Sequence, residues 1–152
     1  VFFSTVEKQL DAKRRMVLPA EFREAASGPF GGVFCFPSIE ADCIEGGGQA
    51  LFDTYKTLID DLPFGDPLRS ALETCFYGGL VKLAYDTAGR ITLPDSLCQM
   101  FGIADDVVVV GMGERFQIWS AEAHRANFAG ARGLAKAEWA SLRARRREVA
   151  VA

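Results

Sequence analysis

With 152 residues, 49% of them apolar, the chain is long enough for one core or for two small halves packed together. No apolar run reaches the roughly 18–20 residues of a membrane span, and a net charge of −3 argues against a uniformly basic nucleic-acid binder. Four cysteines, far apart at 35, 43, 75 and 98, and a single histidine argue against a zinc site and for reduced thiols in or near the core of a cytoplasmic protein.

The charge is divided along the chain. Residues 1–24 carry +1, 25–79 carry −6, 80–119 carry −2 and 120–152 carry +4. Basic groups can therefore converge on one face while the acids lie elsewhere. The start Val1-Phe2-Phe3 is too short for the apolar region of a leader, so none is expected.

In chain order, residues 3–10 read as a strand with Phe3, Val6 and Leu10 inward, and Met16 to Leu18 as a second, shorter strand. Pro19 suits the first position of a helix running to Ala26, where Ser27-Gly28-Pro29 stops it. Val33–Phe36 and Cys43-Ile44 form a hairpin, and Gly46-Gly47-Gly48 reads as a flexible joint. Leu51, Phe52, Tyr55, Leu58, Ile59 and Leu62 make the apolar stripe of one helix. Asp66-Pro67 opens a second, whose stripe is Leu68, Ala71, Leu72, Cys75 and Phe76. Strands follow at 80–85 and 91–93, then a helix from Pro94 to Gly102. Val107–Val110 is a buried strand, and Arg115–Trp119 its hairpin partner. Ser120 caps a helix containing His124 and Phe128, and 133–148 forms a further one ending in Arg143, Arg145, Arg146 and Arg147.

One stretch occurs twice. LDAKRRMVLPAEF at 10–22 superposes on YDTAGRITLPDSL at 85–97 with a constant offset of 75. Asp11 falls on Asp86, Arg15 on Arg90 and Leu18-Pro19 on Leu93-Pro94. Each copy is a strand, an Asp-x-x-x-Arg turn, a strand, a proline and a short helix. Two copies are too few for a solenoid, so the repeat implies a pseudo-twofold domain.

The Asp-x-x-x-Arg pair has two readings. It can be a turn stapled by a local ion pair, worth roughly 0–1 kcal/mol when exposed. Alternatively Asp11 and Asp86 shape the turn and orient the arginines, and Arg15 and Arg90 present planar guanidinium groups to phosphate or to a guanine edge. Lys13 and Arg14 add cations to the first copy, while Gly89 gives the second conformational freedom. The arginine run at 143–147 reads either as a solvated helix end or as an auxiliary phosphate contact. His124 has no Ser or Cys motif beside it, and no phosphate loop, G-x-S-x-G or H-x-x-x-H is present. No enzyme activity, metal or cofactor is expected.

The doubled loop with its downstream Leu-Pro, together with VVVVGMGERFQIWS at 107–120, resembles the MraZ family of bacterial transcriptional regulators across residues 3–128. The resemblance implies an α+β fold, a pseudo-twofold pair of AbrB-like swapped-hairpin units forming a β-barrel with flanking helices. The expected division is a first repeat at 1–62, a connecting helix at 63–79, a second repeat at 80–128 and a C-terminal helix and basic tail at 129–152. The family implies sequence-specific binding of double-stranded DNA at repeated elements of the promoter of the division and cell-wall gene cluster. It also implies a ring-shaped homo-oligomer, cytoplasmic and nucleoid-associated, with no membrane partner. Carried onto this sequence, DNA binding falls to Lys13, Arg14, Arg15 and Arg90, and loop shaping to Asp11, Asp86 and Gly89. The family's glycine before the arginine is replaced by Arg14 in the first copy, which reshapes that loop or strengthens its hold on DNA. A ring-forming interaction scaffold and an RNA binder are the alternatives, the latter disfavoured because neither loop carries an aromatic side chain to stack on a base.

Overall fold

A computed structural model describes residues 1–151. It divides into two units, Val1–Ala121 and Glu122–Ala152.

The first unit holds strands β1 (Thr5–Gln9), β2 (Arg15–Val17), β3 (Gly32–Pro37), β4 (Ile44–Gly47), β5 (Val81–Ala84), β6 (Arg90–Thr92), β7 (Asp106–Gly111) and β8 (Phe116–Ser120). Its helices are α1 (Ala20–Ala25), α2 (Gln49–Asp60), α3 (Pro67–Cys75) and α4 (Asp95–Met100). Six strands form one antiparallel sheet in the order β1-β7-β8-β4-β3-β5, and β2 pairs with β6 in a separate ribbon.

The repeat explains this order. The 75-residue offset carries β1 onto β5, β2 onto β6, β3 onto β7 and α1 onto α4. Under that exchange the strand order reads as its own reverse, with the pseudo-axis between β8 and β4. Each half lends its first strand to the third strand of the other half: β1 pairs with β7, and β5 with β3. The halves are thus interleaved rather than side by side.

The expected closed barrel is not formed. β1 and β5 are free sheet edges, so the sheet is open, and the β2–β6 ribbon packs over one face instead. Met16, Ile91, Leu18 and Leu93 from the ribbon and its exits are buried in the same cluster as Val33, Cys35, Ile44, Val109, Phe116 and Ile118. Alternation along β3 sends Phe36 to the opposite face, where it meets Leu51 and Ile59 of α2 and Phe76 after α3. On that face the fully buried carboxylate of Glu45 accepts hydrogen bonds from the Tyr55 hydroxyl at 2.5 Å and the Ser38 hydroxyl at 3.1 Å, with Arg115 Nε at 3.6 Å. Burying a carboxylate requires such partners.

Several local expectations change. Gly46 and Gly47 are not a joint but buried residues of β4, and Gly48 precedes α2. A Cβ at Gly46 would stand 2.5 Å from the Phe116 ring, and one at Gly47 2.7 Å from Leu51, so close packing requires these glycines. Phe3 is exposed and Phe2 buried, because residues 2, 6 and 10 share strand parity and residue 3 does not. In α3, Leu68 and Cys75 are exposed, and only Leu72 and the following Phe76 reach the core. Pro19 sits one residue before α1 rather than in it. Asp66 caps α3 as expected, accepting from Leu68 N–H at 2.7 Å.

The second unit continues one helix, α5 (Ala121–Val151), where two were expected. Gly130 and Gly133 lie inside it without breaking it, since an isolated glycine weakens a helix by only about 1 kcal/mol. Every described side chain from Arg125 to Ala150 is exposed.

Candidate nucleic-acid interface

The ribbon is three residues long, with Arg15 opposite Thr92, Met16 opposite Ile91 and Val17 opposite Arg90. Met16 and Ile91 are buried, so alternation turns Arg15, Val17, Arg90 and Thr92 outward together. Arg15 and Arg90 therefore mark two ends of a single exposed face, related by the pseudo-axis.

The turn before each arginine is built identically. Asp11 N–H donates to the Arg15 carbonyl at 3.1 Å, and Asp86 N–H to the Arg90 carbonyl at 2.9 Å. Oδ1 of Asp11 accepts the backbone N–H groups of Lys13 and Arg15 at 2.9 and 2.8 Å. Oδ1 of Asp86 accepts those of Ala88 and Arg90, both at 2.9 Å. The other oxygen, Oδ2, accepts Nε of the same loop's arginine at 2.7 Å in both copies. Nε is used in that bond, so the two Nη groups at the tip are what each arginine offers a ligand. The backbone N–H of the arginine, and then its side chain, hold both aspartates below the usual carboxylate pKa, opposed by partial desolvation.

The first loop is not reshaped by Arg14. Arg14 has φ +58° and Gly89 φ +77°, the same left-handed turn. The Arg14 side chain runs along the molecule instead of out of the loop: Nη1 pairs with Asp95 at 3.0 Å and Nε donates to the Leu93 carbonyl at 3.4 Å. Arg23, which sequence reasoning left out, has the matching task in the other half. Its guanidinium donates to the Leu18 carbonyl and lies against Gly89, where a Cβ would be 2.9 Å from Nη1. Only a comparison of the two Leu-Pro carbonyls reveals this pairing. Lys13 is exposed at the tip of the first loop. Val17 and Thr92 also went unnoticed, although buried residues at 16 and 91 imply outward neighbours at 15, 17, 90 and 92.

A family described as "MraZ protein, putative antitoxin-like" matches residues 76–142, which include the second loop. A protein of Phenylobacterium zucineum is 64% identical over 152 residues, covering 100% of this chain and 95% of the relative, and so both loops. The chain belongs to the MraZ family. A second MraZ relative, from Caulobacter vibrioides, is 65% identical over 147 residues, 97% of this chain and 94% of the relative. A more distant one, from Rickettsia bellii, keeps 34% identity over 139 residues, 91% of this chain and 93% of the relative. All three relatives bear the name Transcriptional regulator MraZ.

Proposed function

We propose that this chain is a sequence-specific DNA-binding transcriptional regulator. It reads repeated promoter elements upstream of the division and cell-wall gene cluster through its two Asp-x-x-x-Arg loops. The observation that carries this reading is the pair of superposable loops that set Arg15 and Arg90 on one outward face of the β2–β6 ribbon. A two-stranded ribbon fits the major groove, and an arginine tip suits the O6 and N7 acceptors of guanine. Lys13 attracts phosphate from the loop tip. Arg14 adds positive charge from a fixed position beside Leu93. The names of its MraZ relatives support the regulatory role.

Self-association into a ring belongs to the same proposal. Two short loops bind weakly alone, and repetition around an assembly raises affinity through linkage rather than new contacts. The acidic stretch at 25–79 repels DNA and confines binding to the loop face. The protein works in the cytoplasm at the nucleoid, and none of its described helices is long and apolar enough to cross a membrane.

The test is a gel shift with the protein's own upstream DNA, competed by scrambled duplex and by RNA, across a salt series. Arg15→Ala and Arg90→Ala are expected to abolish specific binding while leaving the oligomer's mass unchanged. Wild-type affinity is expected to fall steeply with salt as counterions are released. Normal shifts by both variants, or RNA competing as well as cognate duplex, would overturn the reading.

A further inference from the structure

The outward face of the β2–β6 ribbon holds four side chains, and two of them carry no charge. Val17 stands opposite Arg90, and Thr92 opposite Arg15. Their neighbours along the strands, Met16, Leu18, Ile91 and Leu93, are at most 3% exposed, whereas Val17 is 40% exposed and Thr92 is exposed as well. Asp86 holds Nε of Arg90 at 2.7 Å, on the side of its own turn, and the Val17 methyl groups across the ribbon stay open. Opposite residues of an antiparallel pair have Cβ atoms about 4.5–5.5 Å apart. Successive bases rise about 3.4 Å along a DNA strand. A side chain opposite an arginine that meets a base edge therefore lies over the same base pair or the next one.

The two neutral residues are not equivalent. The 75-residue offset sets Val17 on Thr92, so the near-twofold face differs here by a methyl group exchanged for a hydroxyl. Valine offers methyl groups alone. Set against a polar base edge, it strips water from a donor or acceptor and returns no hydrogen bond, which is costly. Thymine is the one base that presents a methyl group, at C5, in the major groove. Threonine has both a methyl and a hydroxyl, and so suits an apolar or a polar edge.

We infer that Val17 is a specificity-determining residue that selects thymine by its C5-methyl group, next to the base that Arg90 meets. This selection rests on the DNA reading proposed above and names one base of the element. Thr92 leaves the corresponding base beside Arg15 less constrained. The two halves of the ribbon thus differ in selectivity: the Val17–Arg90 pair rejects a polar neighbour, and the Thr92–Arg15 pair tolerates one.

The test replaces single thymines by deoxyuridine in the protein's own upstream duplex, which removes the C5-methyl group and keeps the base pair. Fluorescence anisotropy gives the affinity for each duplex. For the unaltered protein, one thymine in each bound element is expected to be sensitive, with affinity falling about fourfold, the worth of one buried methyl group. For Val17→Ser, with folding checked by its melting temperature, the thymine and deoxyuridine duplexes are expected to bind alike at that position. Absence of any sensitive thymine overturns the inference, and that arm needs no variant. Val17→Ser overturns it too if the fourfold difference persists, even where both duplexes bind more weakly, because a merely structural valine would behave that way. An unaltered protein that binds scrambled duplex as well as its upstream DNA would overturn the DNA reading first, and the thymine contact with it.

Discussion

Arg14 and Gly89 occupy the same place in two superposable loops, both with left-handed backbones at φ +58° and +77°. An L-residue in that region costs about 1–2 kcal/mol, a cost glycine avoids. The exposed pair from Arg14 to Asp95 returns at most about 1 kcal/mol. Arg14→Gly is therefore expected to keep or raise the melting temperature while weakening DNA binding. The slope of log affinity against log salt should flatten by about one unit if one phosphate contact is lost. Calorimetry and fluorescence anisotropy on the same sample read both effects.

Asp11 and Asp86 link loop geometry to pH. Their folded pKa values are lowered, chiefly by the N–H groups of Arg15 and Arg90. A lowered carboxyl stabilises the fold above its unfolded pKa and loses that contribution as pH falls through the lower folded value. The stabilising contribution of both loops is therefore expected to be full above pH 3.8, the ordinary value for aspartate, and to decline as pH falls below it toward the lowered folded values. Carboxyl-carbon NMR titration should place both midpoints under that value. A midpoint at or above it would mean that the oxygens do not hold the backbone as described. Asp11→Asn keeps one acceptor oxygen but loses the charge that orients Arg15, so DNA affinity should fall more than stability.

Gly46 distinguishes a packed strand from a hinge. A Cβ there meets the Phe116 ring at 2.5 Å and Cys35 Sγ at 3.0 Å, both in the buried core. Gly46→Ala is expected to destabilise the fold by about 1–3 kcal/mol through overpacking, measured by urea denaturation. A hinge glycine would give a small effect or a slight gain.

The thiols should separate cleanly in reactivity. Burial raises Cys35 and Cys43 to about 12 and lifts Cys98 above its usual value, whereas Cys75 is exposed at the end of α3. Only the thiolate is nucleophilic. A disulfide reagent at pH 8 is expected to modify one thiol per native chain quickly and all four after denaturation. Fast modification of a second thiol would show that the core opens readily.

The sequence by itself determined the elements governed by near neighbours. The offset between Asp11–Arg15 and Asp86–Arg90 revealed the twin loops, because an aspartate holding N–H groups two and four residues ahead is a local arrangement. Helices α2 and α3 followed from their apolar spacing and from Asp66-Pro67, which depend on the first turn of the helix. Only the tertiary structure decided which strands pair. The exchange of β1 and β5 between the halves, the open sheet in place of a barrel and the buried glycines of β4 depend on partners far along the chain. The same holds for Arg14, whose partners Leu93 and Asp95 lie about eighty residues away. Its residue type announced a cation, but those long-range contacts fixed where its charge sits beside the ribbon.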